Sequence, residues 1–338
     1  VPPPRRLLLV KLSSLGDVAH ALPLAEALRA GLGPAVHIAW AVRAPFAPLL
    51  DGNPHLNAVH ILPDTRARSL IAFVRLLRAE RFDTALDAQG LLVSGIVTAL
   101  SGAPRRIGFD RGREGNRLFL TDPIVPARAR RHMVAKLLGF CDALGIPSLP
   151  PRPQTYLAQA GSARADELLR DIGDGPVVGC IVGASTPEKA WPAASWSALA
   201  KTLAAEGISV VLLGGAGEAQ AAEQIARDAE GAVAVNCAGQ TPLRVLATVL
   251  ARCTVVVGGD SGPTHLAVAV GTRVVGLYGV TDPERTGPDW GPARSQTLDV
   301  AVDSAPPQTR RPRHPTVADA LARIPVAAVT EAVRILLR

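Results

Sequence analysis

The chain has 338 residues, 48% of them apolar but only 4% aromatic, and a formal net charge of +7. That length predicts two domains of about 150 residues each, with cores packed by Leu, Val and Ala. No apolar run approaches the roughly 18 residues that span a bilayer, which argues against a transmembrane helix. The start, Val1 to Arg6, leads into only four apolar residues before Lys11 and does not read as a signal peptide. Cys141, Cys180, Cys237 and Cys253 lack metal-type spacing and read as buried free thiols in a reducing compartment.

In chain order, 6–12 reads as a buried strand, 18–30 as a helix and 36–42 as a second strand. A short strand at 59–62 precedes a helix over 69–79, and a strand at 84–87 leads to a helix over 91–100. This alternation predicts right-handed crossovers and a parallel sheet. Between Arg105 and Arg131 eight arginines face three acids, a patch suited to nucleic acid, an anionic membrane surface or a phosphorylated substrate. Only Phe109 and Phe119 interleave it, which gives single-strand stacking little support. The stretch Pro147 to Pro153 reads as a stiff linker. Strands then recur at 177–182, 209–213, 232–235, 254–257 and 274–277, with helices starting near Ala193, Glu218, Pro242 and Pro263. Residues 306–315, rich in Pro and Arg, read as irregular before a closing helix at 326–337. A ligand is expected in a cleft between the strand C-terminal ends of the two halves.

Four segments carry candidate chemistry. Gly258-Gly259-Asp260-Ser261-Gly262-Pro263-Thr264-His265 joins a strand to a helix, with Pro263 suited to the first helical position. Free amides there favour an anion such as a pyrophosphate, and Thr264 and His265 add side-chain donors. Lys11-Leu12-Ser13-Ser14-Leu15-Gly16-Asp17 follows the first strand. Asp17 reads as a helix N-cap or as a general base, and the two roles are compatible. Ser13, Ser14 and the Gly16 backbone either bind a ligand or close the turn, and His20 follows on the same helical face. Ser185 to Pro192 follows the first strand of the second half, where Lys189 is either a surface lysine or an ammonium that neutralises a departing phosphate. Gly214-Gly215-Ala216-Gly217-Glu218 matches a dinucleotide fingerprint poorly, since Gln220 stands where its third glycine belongs. No Gly-Lys pair, G-x-S-x-G or H-E-x-x-H occurs.

Taken in order, Val10 to Pro23, Asp87-Ala88-Gln89-Gly90-Leu91, Lys189-Ala190-Trp191-Pro192, and Gly259 to Leu266 with Tyr278 to Pro283 resemble glycosyltransferase family 9. These are the ADP-heptose:lipopolysaccharide heptosyltransferases, and the second motif is like the heptosyltransferase I branch. The resemblance implies an α/β GT-B fold, two Rossmann-like domains whose parallel sheets face a central cleft. It divides the chain into an acceptor-binding domain at 1–152 and a donor-binding domain at 153–338, with the last helix free to pack back on the first. It implies inverting, metal-independent transfer of heptose from ADP-heptose, as co-substrate and with no cofactor, to a lipid A–Kdo inner-core acceptor. Asp17 would be the base and Lys189 would stabilise departing ADP. Ser185, Thr186, Glu218, Asp260, Ser261, Gly262, Thr264 and His265 would join Lys189 in binding the donor. Ser13, Ser14, Gly16, Gln89, Arg105, Arg106, Arg113 and His132 would meet an anionic lipid-linked saccharide. The implied location is the cytoplasm, with peripheral contact at the inner membrane face and no nucleic-acid partner. The rival readings are a relative using another nucleotide sugar or acceptor, a nucleotide-sugar-binding protein without turnover, and a nucleic-acid binder using the arginines.

Overall fold

The computed structural model describes residues 3–124, 131–184, 186, 189–300 and 320–338. Ser185 and the 306–315 stretch lie outside the described residues. The chain divides into two compact units, Val1–Pro151 and Arg152–Arg338.

In the first unit the strands are β1 (Arg6–Val10), β2 (His37–Arg43), β3 (Ala58–Leu62), β4 (Thr84–Asp87), β5 (Arg105–Phe109) and β6 (Asp122–Ile124). The helices are α1 (Leu15–Leu32), α2 (Ala67–Ala79), α3 (Leu92–Leu100) and α4 (Met133–Leu144). The six strands lie in the order β3-β2-β1-β4-β5-β6, all parallel. The order reverses direction between β1 and β4, so the loops leaving their C-terminal ends splay apart and leave a crevice there. Val10 stands in register with Asp87, which sets the Lys11 loop beside the Gln89 loop. Alternate residues of β1, Leu8 and Val10, pack with Phe73 and Leu77 of α2 and Val97 of α3. Thus α2 and α3 share one face of the sheet, while α1 packs against α4.

The second unit repeats this plan. Its strands are β7 (Val177–Ile181), β8 (Ser209–Leu213), β9 (Val235–Asn236), β10 (Val255–Gly259), β11 (Arg273–Tyr278) and β12 (Ser295–Asp299). Its helices are α5 (Thr155–Gln159), α6 (Ser162–Leu168), α7 (Ala193–Ala205), α8 (Ala219–Asp228), α9 (Leu243–Arg252), α10 (Gly262–Ala269), α11 (Pro283–Thr286) and α12 (Val326–Leu337). The order β9-β8-β7-β10-β11-β12 is parallel throughout and reverses between β7 and β10. The closing helix α12, which the sequence left free to return to the first half, buries Val329, Val333 and Leu336 in the core of the second. Each such side chain contributes about 1.5–3 kcal/mol.

Three strands escaped the sequence reading: β5, β6 and β12. None has a continuous apolar run, and β6 and β12 are edge strands. The four cysteines are free and buried, and burial pushes the Cys237 thiol up to about 11.

Candidate active site

In the first unit the site is built on the end of β1. Lys11 is the residue after the strand, and its side chain is only 3% exposed. A buried ammonium needs a counter-charge. Asp17 supplies it, with Oδ1 3.1 Å from Lys11 Nζ. The other oxygen, Oδ2, accepts from the Ser14 amide at 3.1 Å and the Ser14 hydroxyl at 2.9 Å. Burial works to raise the Asp17 carboxyl, but the Lys11 charge and the Ser14 hydrogen bonds outweigh it and hold the group below its ordinary value. With 37% of the side chain exposed, the carboxylate still reaches solvent.

This corrects the N-cap reading of Asp17. Helix α1 opens at Leu15, three residues earlier than the apolar pattern suggests, so Ser14 is the N-cap and Asp17 is the third helical residue. From there it accepts the cap's own amide, the reciprocal half of a capping box. Gly16 is buried in the same turn.

The neighbouring loop is fixed from beneath. Asp87 at the end of β4 is fully buried and accepts from the Gln89 and Gly90 amides, Ser94 Oγ and Asn116 Nδ2. Burial raises its carboxyl despite these four donors. Gln89 turns its Oε1 to the Leu12 and Ser13 amides, at 3.1 and 3.2 Å, and so ties the two strand-end loops together. Arg113 joins them through its amide, which donates to Gly90 O at 2.8 Å, while its side chain is exposed. His132 caps α4, and its ring meets His20 edge-on at 5.7 Å, one turn of α1 from Asp17.

Arg105 and Arg106 are not brought here. They begin β5, about 10 and 7 Å of strand from Gly108, which stands opposite Asp87. Their guanidiniums donate to main-chain carbonyls, Arg105 to Ala143 and Arg106 to Phe119 and Ala103.

In the second unit, Asp260 lies just past β10 and is 8% exposed. Lys189 Nζ donates to Asp260 Oδ2 at 2.7 Å and lies 3.3 Å from the Asp260 carbonyl. His265 Nε2 lies 3.0 Å from Oδ1. Burial would raise the Asp260 carboxyl, but His265 and Lys189 hold it far below the usual carboxylate range. An ionised Asp260 only accepts, so the His265 proton sits on Nε2.

Ser261 is the N-cap of α10, and Pro263 takes the second helical position rather than the first. Thr264 is fully buried, with Oγ1 donating to Gly259 O at 2.7 Å and lying 3.0 Å from Ser261 Oγ. Its hydroxyl is thereby committed inward, leaving its backbone to serve the helix start. Trp191 plunges into the core, donating to Ile324 O and packing edge-on against Trp196 at 4.9 Å, which anchors the segment carrying Lys189. Thr186 is exposed, and its carbonyl accepts from the Lys189 amide. Glu218 caps the turn after β8 by accepting from the Gly215 amide at 2.8 Å, and it lies over Gly183 beyond β7.

Each unit therefore places a lysine–aspartate pair at its sheet's reversal point. Lys11, Ser94 and Asn116 were not singled out from sequence. Lys11 carried a signal, a lysine ending an apolar strand in a chain with only four; Asn116 reaches Asp87 from 29 residues away and carried none.

Comparison with known proteins agrees with this architecture. The profile of glycosyltransferase family 9 (heptosyltransferase) matches residues 70–311. Lipopolysaccharide heptosyltransferase 1 of Pseudomonas aeruginosa is 33% identical over 298 residues, covering 83% of this chain and 81% of that one. The structure of Escherichia coli ADP-heptose lps heptosyltransferase II aligns over 98% of both chains at 26% identity, with a TM-score of 0.75. E. coli heptosyltransferase WaaC with ADP aligns over 98% of this chain and 99% of that one at 25% identity, with a TM-score of 0.76. Two six-stranded parallel sheets with alternating helices match the GT-B arrangement of those enzymes. On these grounds the chain is a glycosyltransferase enzyme and belongs to glycosyltransferase family 9, the heptosyltransferases.

Proposed function

We propose that this protein transfers heptose from ADP-heptose to the inner core of a lipid A–Kdo acceptor of lipopolysaccharide, with inversion and without a metal. The observation that carries the reading is the Lys189–Asp260–His265 cluster at the start of α10. It offers an ammonium and helix-terminal amides to a diphosphate, and ADP is what the WaaC structure holds.

In the reaction the acceptor hydroxyl oxygen bonds to the anomeric carbon from the face opposite the diphosphate. The carbon–oxygen bond to phosphate breaks, and ADP leaves with the electron pair. Lys189 shifts toward that growing charge, and the amides of Gly262 and Thr264 meet it. Asp17 takes the hydroxyl proton. A carboxyl held below its ordinary value is a weak base, so this transfer comes late, once the hydroxyl oxygen is already bonding and acidic. Glu218 accepts from the ribose hydroxyls, and Thr186 flanks the phosphates. Ser13, Gln89, Arg113 and His132 border the acceptor, which approaches by peripheral contact with the cytoplasmic face of its membrane. No helix among the described residues is long and apolar enough to cross a membrane.

Calorimetry with ADP-heptose, UDP-sugars and GDP-sugars tests the donor. Binding restricted to ADP-heptose, with transfer unchanged in excess chelator, is the expected result. Preference for another nucleotide, or strict need for a divalent ion, overturns the reading.

A further inference from the structure

Eight large apolar side chains stand exposed among the described residues, and seven of them belong to the first unit. Six lie on α2, on α3 and on the 3-10 turn 116–119 that packs against α3. Helix α3 shows the anomaly most plainly. It contains no charged residue, and its outward stripe, Leu92, Ile96 and Leu100, is more apolar than its buried one, Ser94, Gly95, Val97 and Thr98. In an amphipathic helix the apolar stripe normally faces cover and the polar one faces solvent. Here Leu92 and Leu100 are exposed, as is Val93 beside them. On α2 the buried stripe is Phe73, Val74 and Leu77, yet Ile71 and Leu76 point outward, 52% and 48% exposed. Leu118 at the turn is 86% exposed.

The charges on these elements are of one sign. Helix α2 carries Arg68, Arg75 and Arg78 with no acid. Exposed Arg111, Arg113 and Arg117 precede Leu118 in the same loop, with Asp110 and Glu114 among them, and Glu114 accepts from the Leu92 amide at 3.2 Å. Exposed apolar side chains interspersed with arginines suit a surface that is anionic at its boundary and hydrocarbon just beneath. Nucleic acid would use the arginines but gain nothing from Ile71, Leu76 or Leu118.

We propose that the α2–α3 layer and the 116–119 turn form a docking face for the surface of an anionic bilayer. The inference rests on the lipid-linked acceptor proposed above for its purpose, but not for its test. The full chain is sedimented with vesicles of phosphatidylglycerol and phosphatidylcholine, and with vesicles of phosphatidylcholine alone. These contain neither donor nor acceptor, so failure to bind sinks the docking face and leaves the transfer reading intact.

The expected result is binding to the anionic vesicles that falls at least tenfold in Ile71→Asp/Leu76→Asp and in Leu118→Asp. Arg68→Gln/Arg75→Gln should lose about fivefold per charge. All these positions are exposed, and a cooperative melt confirms that each variant is folded. Three outcomes overturn the proposal: equal binding by wild type and the aspartate variants, RNA binding that the aspartate variants retain in place of vesicle binding, or self-association that the aspartates abolish with no vesicle binding by the wild type.

Discussion

Asp17 holds three contacts, one from Lys11 and two from Ser14, and together they keep it ionised well into acid. Its protonation therefore contributes no acidic limb to the transfer rate between pH 5 and 8, near the middle of which an ordinary histidine would titrate, at about 6.5. Lys11→Met removes the charge while keeping a stem of similar length in the buried site. The Asp17 carboxyl should rise, and the acidic limb of the pH–rate profile should move upward; an unmoved profile would show that Asp17 is not the group that takes the proton. Lys189→Ala should lower turnover at least tenfold, since a charge-assisted contact to a leaving phosphate contributes on the order of 1.5–3 kcal/mol. Steady-state kinetics measure this directly, and unchanged values would return Lys189 to a purely structural partner of Asp260. At this scale the sequence was legible where chemistry and position coincide, as at Asp17, Lys189 and Asp260. That Arg105 and Arg106 begin a strand was not legible, because a run of arginines hides the strand inside it. Five residues of β5 separate one edge of a sheet from the other, and no charge count records that.

Among the elements, the β10–α10 junction is tightly packed. A Cβ on Gly258 would come within 2.6 Å of Thr264 Oγ1 and 3.1 Å of Ile181 Cβ. The hydroxyl would have to leave, breaking its bond to Gly259 O and shifting the first turn of α10. Gly258→Ala should therefore cost about 1–3 kcal/mol in chemical denaturation and weaken donor binding as well. Lost stability with full donor affinity would separate the helix start from the binding site. The sequence revealed this element because strand, glycines, Pro263 and apolar helix follow one another without a gap. It revealed α1 less well. The apolar pattern begins at Val18, but Ser14 and Asp17 cap the helix reciprocally and extend it back to Leu15. Nor could β6 or β12 be seen, since two polar edge strands owe their pairing to neighbours already in place.

Across the whole molecule one topology occurs twice, and each copy holds an aspartate below its ordinary value with a lysine at the sheet's reversal point. Reading alternating strands and helices was enough to anticipate the repetition, but the lysine partners emerge only when strand ends are brought together in space. The pairing has a consequence for acid stability. An unfolded aspartate titrates near 3.9. Because Asp17 and Asp260 titrate lower when folded, the stability they confer is fully present above that value and is lost as pH falls through their folded values. Asp87 acts in the opposite sense: its raised carboxyl confers stability at low pH that is lost as pH rises through its folded value. Asp260 is the most deeply buried of the two lowered groups and has both a lysine and a histidine on it, so it should dominate. Asp260→Asn leaves Lys189 without its counter-charge and should destabilise the protein by about 3 kcal/mol at pH 7. That difference from wild type should shrink steadily as pH is lowered from 5 toward 2, because acid removes from the wild type the same charge that the mutation removes. Denaturation midpoints for both proteins at pH 7, 5, 4 and 3 measure it. A gap that stays constant across this range would mean that the Asp260 side chain acts through its shape and hydrogen bonds, and that its charge stabilises nothing.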